Sequence, residues 1–256
     1  MERRDRPAMI TLFWTEPFAE GEMRLRGTPA EHARARRVQR GHSARLVDGR
    51  GRVAFGEIAS VARDEVTVTV DRVVDVPRPS VLEVIVPVAD RDRMLLAAEK
   101  SVELQVTAWR PTYFARSRSV SPRGEGEKFH QKLRARMQGA LEQSGSAWLP
   151  DLHEEMEILD VLKSSVPPDC SRFLLDASGA PLPSLIRDGP VALAVGPEGG
   201  TEPHEIEAAQ NAGWIVASLA TTVLRFETAV IGGAAVVRAA QLALLASPAP
   251  SGTRSI

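Results

Sequence analysis

The sequence predicts an α/β protein built on a parallel sheet, preceded by a small antiparallel β unit. Three observations carry this. Val191 to Ala229 alternates apolar run, glycine loop, amphipathic stretch, apolar run, polar loop and helix start, the order of a parallel βαβ sheet. Residues 43–70 alternate apolar and polar positions around an Asp48-Gly49 turn, the pattern of antiparallel hairpins. Between these regions, Val76-Pro77-Arg78-Pro79 interrupts strand pairing and reads as a linker.

Taken in order, residues 1–8 are polar and arginine-rich and read as frayed. Met9 to Trp14 reads as a strand, and Glu31 to Arg40 as one short helix. Ser43 to Val47, Arg52 to Ser60 and Val66 to Val70 read as strands, giving a small β-barrel of about seventy residues. Val81 to Pro87 is a central strand of the second region, and Asp90 caps a helix running to about Leu104. Val106 to Trp109 is the next strand, followed by a polar, mobile loop from Arg116 to Gly126. Lys128 to Ser144 is a long helix, Phe173 to Asp176 a strand, and Asp176 to Pro183 a turn-rich loop. Val230 to Leu245 is an alanine-rich helix. Its Gly232-Gly233 pair forms a smooth face for close packing, in the core or against a second subunit. The Ser-, Pro- and Gly-rich end is a loose tail.

The chain has 256 residues and is 43% hydrophobic, enough for a sizeable core. A formal net charge of −1 excludes a global basic field, but the first sixty residues carry 12 Arg against 8 acidic residues. A single cysteine, Cys170, excludes an intramolecular disulfide and a multi-cysteine zinc cluster, and no metal site is expected. The chain is read as having no early apolar segment and no run of about 18 apolar residues, which predicts a cytosolic protein with no membrane partner.

The candidate site lies in two loops. Gly196-Pro197-Glu198-Gly199-Gly200 exposes main-chain N–H and C=O groups and can hold a small polar molecule, or it is simply a tight strand-to-helix turn. It matches neither a P-loop nor the G-x-G-x-x-G fingerprint. The second loop, Ser218-Leu219 through Val223-Leu224-Arg225-Phe226-Glu227, follows the next strand. Ligands of open α/β sheets bind outside the carboxyl ends of strands, where both loops fall. Seven arginines lie between Arg34 and Arg52, forming either an RNA-facing patch or a solvated surface.

These two loops together resemble the signature motifs of the SPOUT-type RNA methyltransferases. More narrowly, they resemble the ribosomal RNA small-subunit methyltransferase E family, which methylates uridine N3 in 16S rRNA. His32, Arg37 and Gly41, Glu103-Leu104, Arg116-Ser117, Glu142-Gln143-Ser144-Gly145 and Leu149-Pro150 extend the likeness over most of the chain. The sequence departs from the family at Ala35-Arg36, His42, Gln105, Ser146, Ala220 and Thr222. The resemblance implies a PUA-like RNA-binding barrel over residues 1–77. It further implies a SPOUT methyltransferase domain with a deep trefoil knot over 78–247, leaving the compositional tail as 248–256. It implies S-adenosylmethionine held by Leu193, Gly196, Pro197, Glu198, Gly199, Gly200, Ser218, Leu219, Val223, Leu224 and Arg225. Small-subunit ribosomal RNA or the 30S particle is the implied partner, gripped through Arg34, Arg36, Arg37, Arg40 and Arg116. A homodimer with its site near the subunit interface is also implied.

Uracil N3 keeps its proton at neutral pH, so methylation there needs a base or stabilisation of the anion. Glu198 and Glu227 are the candidate carboxylates and Arg225 the candidate cation. Alternatively, Arg225 forms a structural ion pair with one of them. The rival readings are methylation of another RNA position and a non-catalytic RNA-binding ribosome-assembly factor of the same fold. An unknotted α/β enzyme acting on a small molecule is the third.

Overall fold

A computed structural model describes residues 9–119, 122–164 and 169–246. The expected frayed start and loose tail lie outside these residues. The described residues fall into two compact units, those of Met1–Arg78 with Ala135–Leu149, and those of Pro79–Arg134 with Pro150–Ile256.

The first unit is a five-stranded sheet of β1 (Ile10–Phe13), β2 (Gly21–Arg26), β3 (Ser43–Val47), β4 (Arg52–Val61) and β5 (Glu65–Asp75), with α1 (Thr28–Ala35). Its order is β1-β3-β4-β5-β2. The hairpins β3–β4 and β4–β5 are antiparallel as the alternation predicts, but β1 joins β3 in parallel. Leu12, Leu25, Leu46, Ile58, Val66 and Val68 fill the core with Ala30 and Ala33 of α1. Each fully buried Leu, Ile or Val contributes about 1.5–3 kcal/mol. The helix starts earlier and stops sooner than the sequence suggests. Pro29 sits in its first turn, where its missing N–H costs nothing, and Arg37 at φ 52 leaves the helical region.

The second unit is a sheet in which every pairing is parallel. Its strands are β6 (Leu82–Pro87), β7 (Ala108–Tyr113), β8 (Asp151–Leu152), β9 (Met156–Glu157), β10 (Ser171–Pro181), β11 (Val191–Val195) and β12 (Ile215–Ser218). The order is β12-β10-β11-β6-β7-β8, with β9 also on β7. All five residues of β11 are buried, as expected of a strand covered on both faces. The helices are α2 (Arg91–Glu103), α3 (Glu127–Ser144), α4 (Ile158–Lys163), α5 (Pro203–Asn211) and α6 (Phe226–Ala246), with α3 passing from this unit into the first at Ala135. Asp90 caps α2 by accepting the Asp92 and Arg93 N–H groups. The turn-rich loop expected after Asp176 is instead the second half of β10, which regains β12 beyond a register shift between Leu175 and Ala180. The stretch after Arg116 contains a 3-10 turn, Ala115–Ser119.

Helix α6 is long and largely apolar. By length and composition it can cross a membrane, with 21 residues and mean hydropathy 1.8. It packs on α2, β6 and β11, and its charged residues are Glu227 and Arg238. Gly233 explains the small-residue face, because a Cβ there would lie 2.7 Å from Leu193 Cδ2. Arg238 is 9% exposed. It donates to the carbonyls of Leu104 (3.1 Å), Ser80 (2.6 Å) and Gln105. Burial pushes its guanidinium down to about 10.

Candidate functional site

The site forms at the carboxyl end of β11, where the chain leaves the sheet at Gly196. A cavity of about 190 Å³ opens there, bounded by the Gly196–Gly200 loop, the middle of β10 and the loop from Leu219 to Leu224. Gly196, Pro197, Glu198, Gly200, Leu219, Val223 and Leu224 line it, so the structure brings the two predicted loops together. Leu193 is buried within β11, Ser218 ends β12, and Arg225 is exposed with no side-chain partner among the described residues. Val223 is 90% exposed at the rim.

The glycine loop is held from three sides. Arg93 of α2 donates to Glu198. Arg116 donates from Nε to Glu202 (2.7 Å) and from Nη1 to the Gly199 carbonyl (2.5 Å). Glu205, 1% exposed, accepts the Ala115 N–H and the Glu202 N–H, each at 2.8 Å, tying the start of α5 to the 3-10 turn. The glycines serve close approach. A Cβ on Gly196 would lie 2.5 Å from Thr201 Oγ1, and one on Gly199 would lie 3.2 Å from Arg116 Cβ.

Two polar atoms here are buried without a partner among the described residues, Thr201 Oγ1 and Glu227 Oε2. Thr201 lines the cavity. Glu227, at the start of α6, has its other oxygen 4.0 Å from Arg93 Nε. Arg93 therefore joins the carboxylates of both loops, and Arg225 takes no part in an ion pair with either. The sequence reading missed Arg93, Thr201, and the Leu175, Asp176 and Ala177 stretch that also lines the cavity. A hydroxyl directly after a glycine loop and a cation one turn inside a capped helix were the available signals.

The predicted RNA contacts separate. Arg34, Arg36, Arg37 and Arg40 are exposed on the first unit. Two other arginines of that run are engaged: Arg45 donates to the Gly145 carbonyl and Arg52 lies 3.7 Å from Asp75. Arg116 is in the second unit, committed to the glycine loop. Glu142, in the last turn of α3, reaches the first strand and helix of the first unit. Its carboxylate accepts the Phe13 N–H (2.9 Å) and pairs with His32 Nδ1 (2.6 Å).

A parallel α/β sheet with a glycine-loop cavity at its carboxyl edge is the framework of a nucleotide- or cofactor-binding protein. A family model for the RNA methyltransferase domain matches residues 76–238, and the chain belongs to that family. It is 28% identical over 205 residues to the ribosomal RNA small subunit methyltransferases E of Mycobacterium bovis and Mycobacterium tuberculosis. Those matches cover 77% of this chain and 78% of each relative. Its fold is that of the Neisseria gonorrhoeae ribosomal RNA small subunit methyltransferase E crystallised with S-adenosyl methionine. That match has TM-score 0.81 and 24% identity, covering 91% of this chain and 98% of the other. The resemblance drawn from the two loops is to these same proteins.

Proposed function

We propose that the protein transfers a methyl group from S-adenosylmethionine to N3 of a uridine in small-subunit (16S) ribosomal RNA, acting in the cytoplasm as a homodimer. The observation that carries this is the cavity between the two motif loops, with a buried, unpartnered Thr201 hydroxyl facing it and main chain uncovered by glycine. These groups fit a polar, partly flat cofactor. The enclosed volume is below the roughly 300–1,000 Å³ of most small-molecule sites, so it takes one end of the cofactor and the exposed Val223 rim covers the rest. Bound there, S-adenosylmethionine supplies a methyl group already activated by a sulfonium.

The protein's task is then alignment and removal of the N3 proton. Glu227 is the base, because one of its oxygens is buried and unpartnered. Arg225, free of ion pairs, stabilises the charge that develops on the uracil oxygens. Glu198, fixed by Arg93, sets the shape of the glycine loop. The first unit is the PUA-like RNA-binding domain, gripping phosphates through its exposed arginines, and the second is a SPOUT domain whose loops form a trefoil knot. The homodimer reading is supported by α6, whose Leu242 and Leu245 are 66% and 73% exposed and suit a second copy of the helix.

Calorimetric titration with S-adenosylmethionine tests the cofactor half. Wild type binds in the micromolar range, Glu198→Ala binds more weakly, and Arg225→Ala binds normally but no longer methylates. No binding by the folded protein sinks the assignment. A methyl on N3 blocks Watson–Crick pairing, so reverse transcription of small-subunit RNA from cells with and without the protein locates the target.

A further inference from the structure

The first unit contains a cavity of about 440 Å³, larger than the one at the glycine loop. It lies along the free side of β1, closed by the end of α1 and by Glu142 and Gln143 of α3. Three features define what it can take.

The first is main chain. β1 is an edge strand that pairs only with β3. Trp14 N–H points to β3 at Val47 O (2.9 Å), whereas Phe13 N–H points away, to Glu142 Oε1. The period of two then turns the N–H and C=O of Thr11 toward the cavity. A donor and an acceptor side by side on a rigid strand match the hydrogen-bonding edge of a base.

The second is side chains. Gln143 offers an amide, with both donor and acceptor. Glu142 has one oxygen on Phe13 N and the other on His32 Nδ1, so its charge is engaged inside the wall. Arg36 Nε reaches His32 Nε2 at 3.4 Å, its terminal nitrogens have no partner among the described residues, and Met9, 58% exposed, is an apolar lip.

The third is the rim. Arg34, Arg37 and Arg40 are exposed and close in sequence to Arg36, guanidinium groups of the kind that take phosphates. A peptide added to β1 fits less well, because Glu142 already occupies the outer N–H at Phe13 and the strand is four residues long.

We propose that this cavity is a specificity subsite for a single unstacked nucleotide of the RNA. Its base is read by Thr11 main chain and the Gln143 amide, and its flanking phosphates lie on the arginine rim. Sequence-specific RNA recognition targets splayed single-stranded bases, and phosphate contacts alone carry no sequence information. The proposal rests on the RNA-binding reading above, but not on the cofactor or the methyl transfer.

The test is fluorescence anisotropy with labelled single-stranded homopolymeric RNA oligonucleotides of each base, using the full chain. S-adenosylmethionine titration and melting are run in parallel. Wild type prefers one base. Gln143→Ala weakens binding of that base about five- to tenfold, brings all four to within about twofold, and leaves the salt dependence unchanged. Arg36→Ala weakens all four and lowers the log–log salt slope by about one. Gln143→Glu keeps the volume and abolishes the preference, which guards against a folding artefact in the alanine variant. The proposal is overturned if wild type shows no base preference, or if Gln143→Ala matches wild type while Arg40→Ala weakens every oligonucleotide equally. The rim is then a phosphate surface only. RNA preference without S-adenosylmethionine binding leaves this subsite standing and removes the methyltransferase reading. Cofactor binding without RNA binding does the reverse.

Discussion

Replacing Arg93 by Met removes the side chain that, among the described residues, reaches both motif carboxylates, while keeping its aliphatic bulk. At the 4.0 Å separating Arg93 from Glu227, opposite unit charges attract by about 4 kcal/mol at an effective dielectric of about 20, before desolvation is counted. The Glu198 contact is worth less. Its side chain is 45% exposed and that of Arg93 is 32% exposed, which places the pair in the range of about 0–1 kcal/mol. Glu227, with its side chain 10% exposed, is left as a carboxylate without its neighbouring cation, at a cost of about 1–3 kcal/mol. Arg93→Met therefore destabilises by about 2 kcal/mol, or about 4–8 °C in melting temperature for a chain of this size. Differential scanning calorimetry measures it directly. In a Glu227→Gln background no charge is stranded, so the same change costs about 1 kcal/mol less. A melting temperature within a degree of wild type, or equal costs in both backgrounds, refutes the role given to Arg93.

Other predictions follow from single residues. Gly196→Ala places a methyl 2.5 Å from Thr201 Oγ1, so the loop shifts and S-adenosylmethionine affinity falls at least about tenfold by calorimetry, with melting changed by only a few degrees. Gln105 sits at φ 55, where an L residue costs about 1–2 kcal/mol, so Gln105→Gly raises the melting temperature despite glycine's greater unfolded freedom. Tyr113 is the only tyrosine. Burial and its hydrogen bond to Glu125 (3.0 Å) push its phenol up to about 12, so the native ultraviolet titration has its midpoint above the ordinary value near 10, and Glu125→Gln brings it down. The folded state then keeps a proton that the unfolded state has lost, so the stability carried by the protonated phenol is present below pH 10 and lost between pH 10 and about 12. Burial and Arg110 lower His153, and protonation then favours the unfolded chain, so stability falls as pH drops through the ordinary histidine range and His153→Gln flattens that fall.

How far the sequence could be read depended on what each segment buries. The Val191–Val195 run announces a central parallel strand because both faces are covered, and the Asp48-Gly49 turn announces a hairpin because only a few residue pairs suit it. β2 was silent, since only Leu25 of its six residues is buried and its place is set by pairing with β5. The second half of β10 looked like a loop because its small and polar residues suit turns, yet pairing with β12 extends it. The end of α1 was misplaced because no local rule marks Arg37 as the residue that turns out of the helix. At the site, the glycine loop and two carboxylates were legible from local chemistry. Arg93 was not, because it stands 105 positions from Glu198 and only the fold brings them together.

The strand order of the second unit has a consequence for how the chain matures. β6 is its first strand to leave the ribosome, yet it lies in the interior of the sheet, with Leu82 in register with Val191. Arg238, which ties off the Ser80 carbonyl at the start of that strand, lies 158 positions further on. Until β11 emerges, the apolar Leu82–Pro87 strand has one whole edge open, so the nascent chain carries a sticky, half-built sheet from Pro87 to Val195. An unpaired apolar edge of this kind is aggregation-prone while the chain is incomplete, a hazard that native stability does not measure.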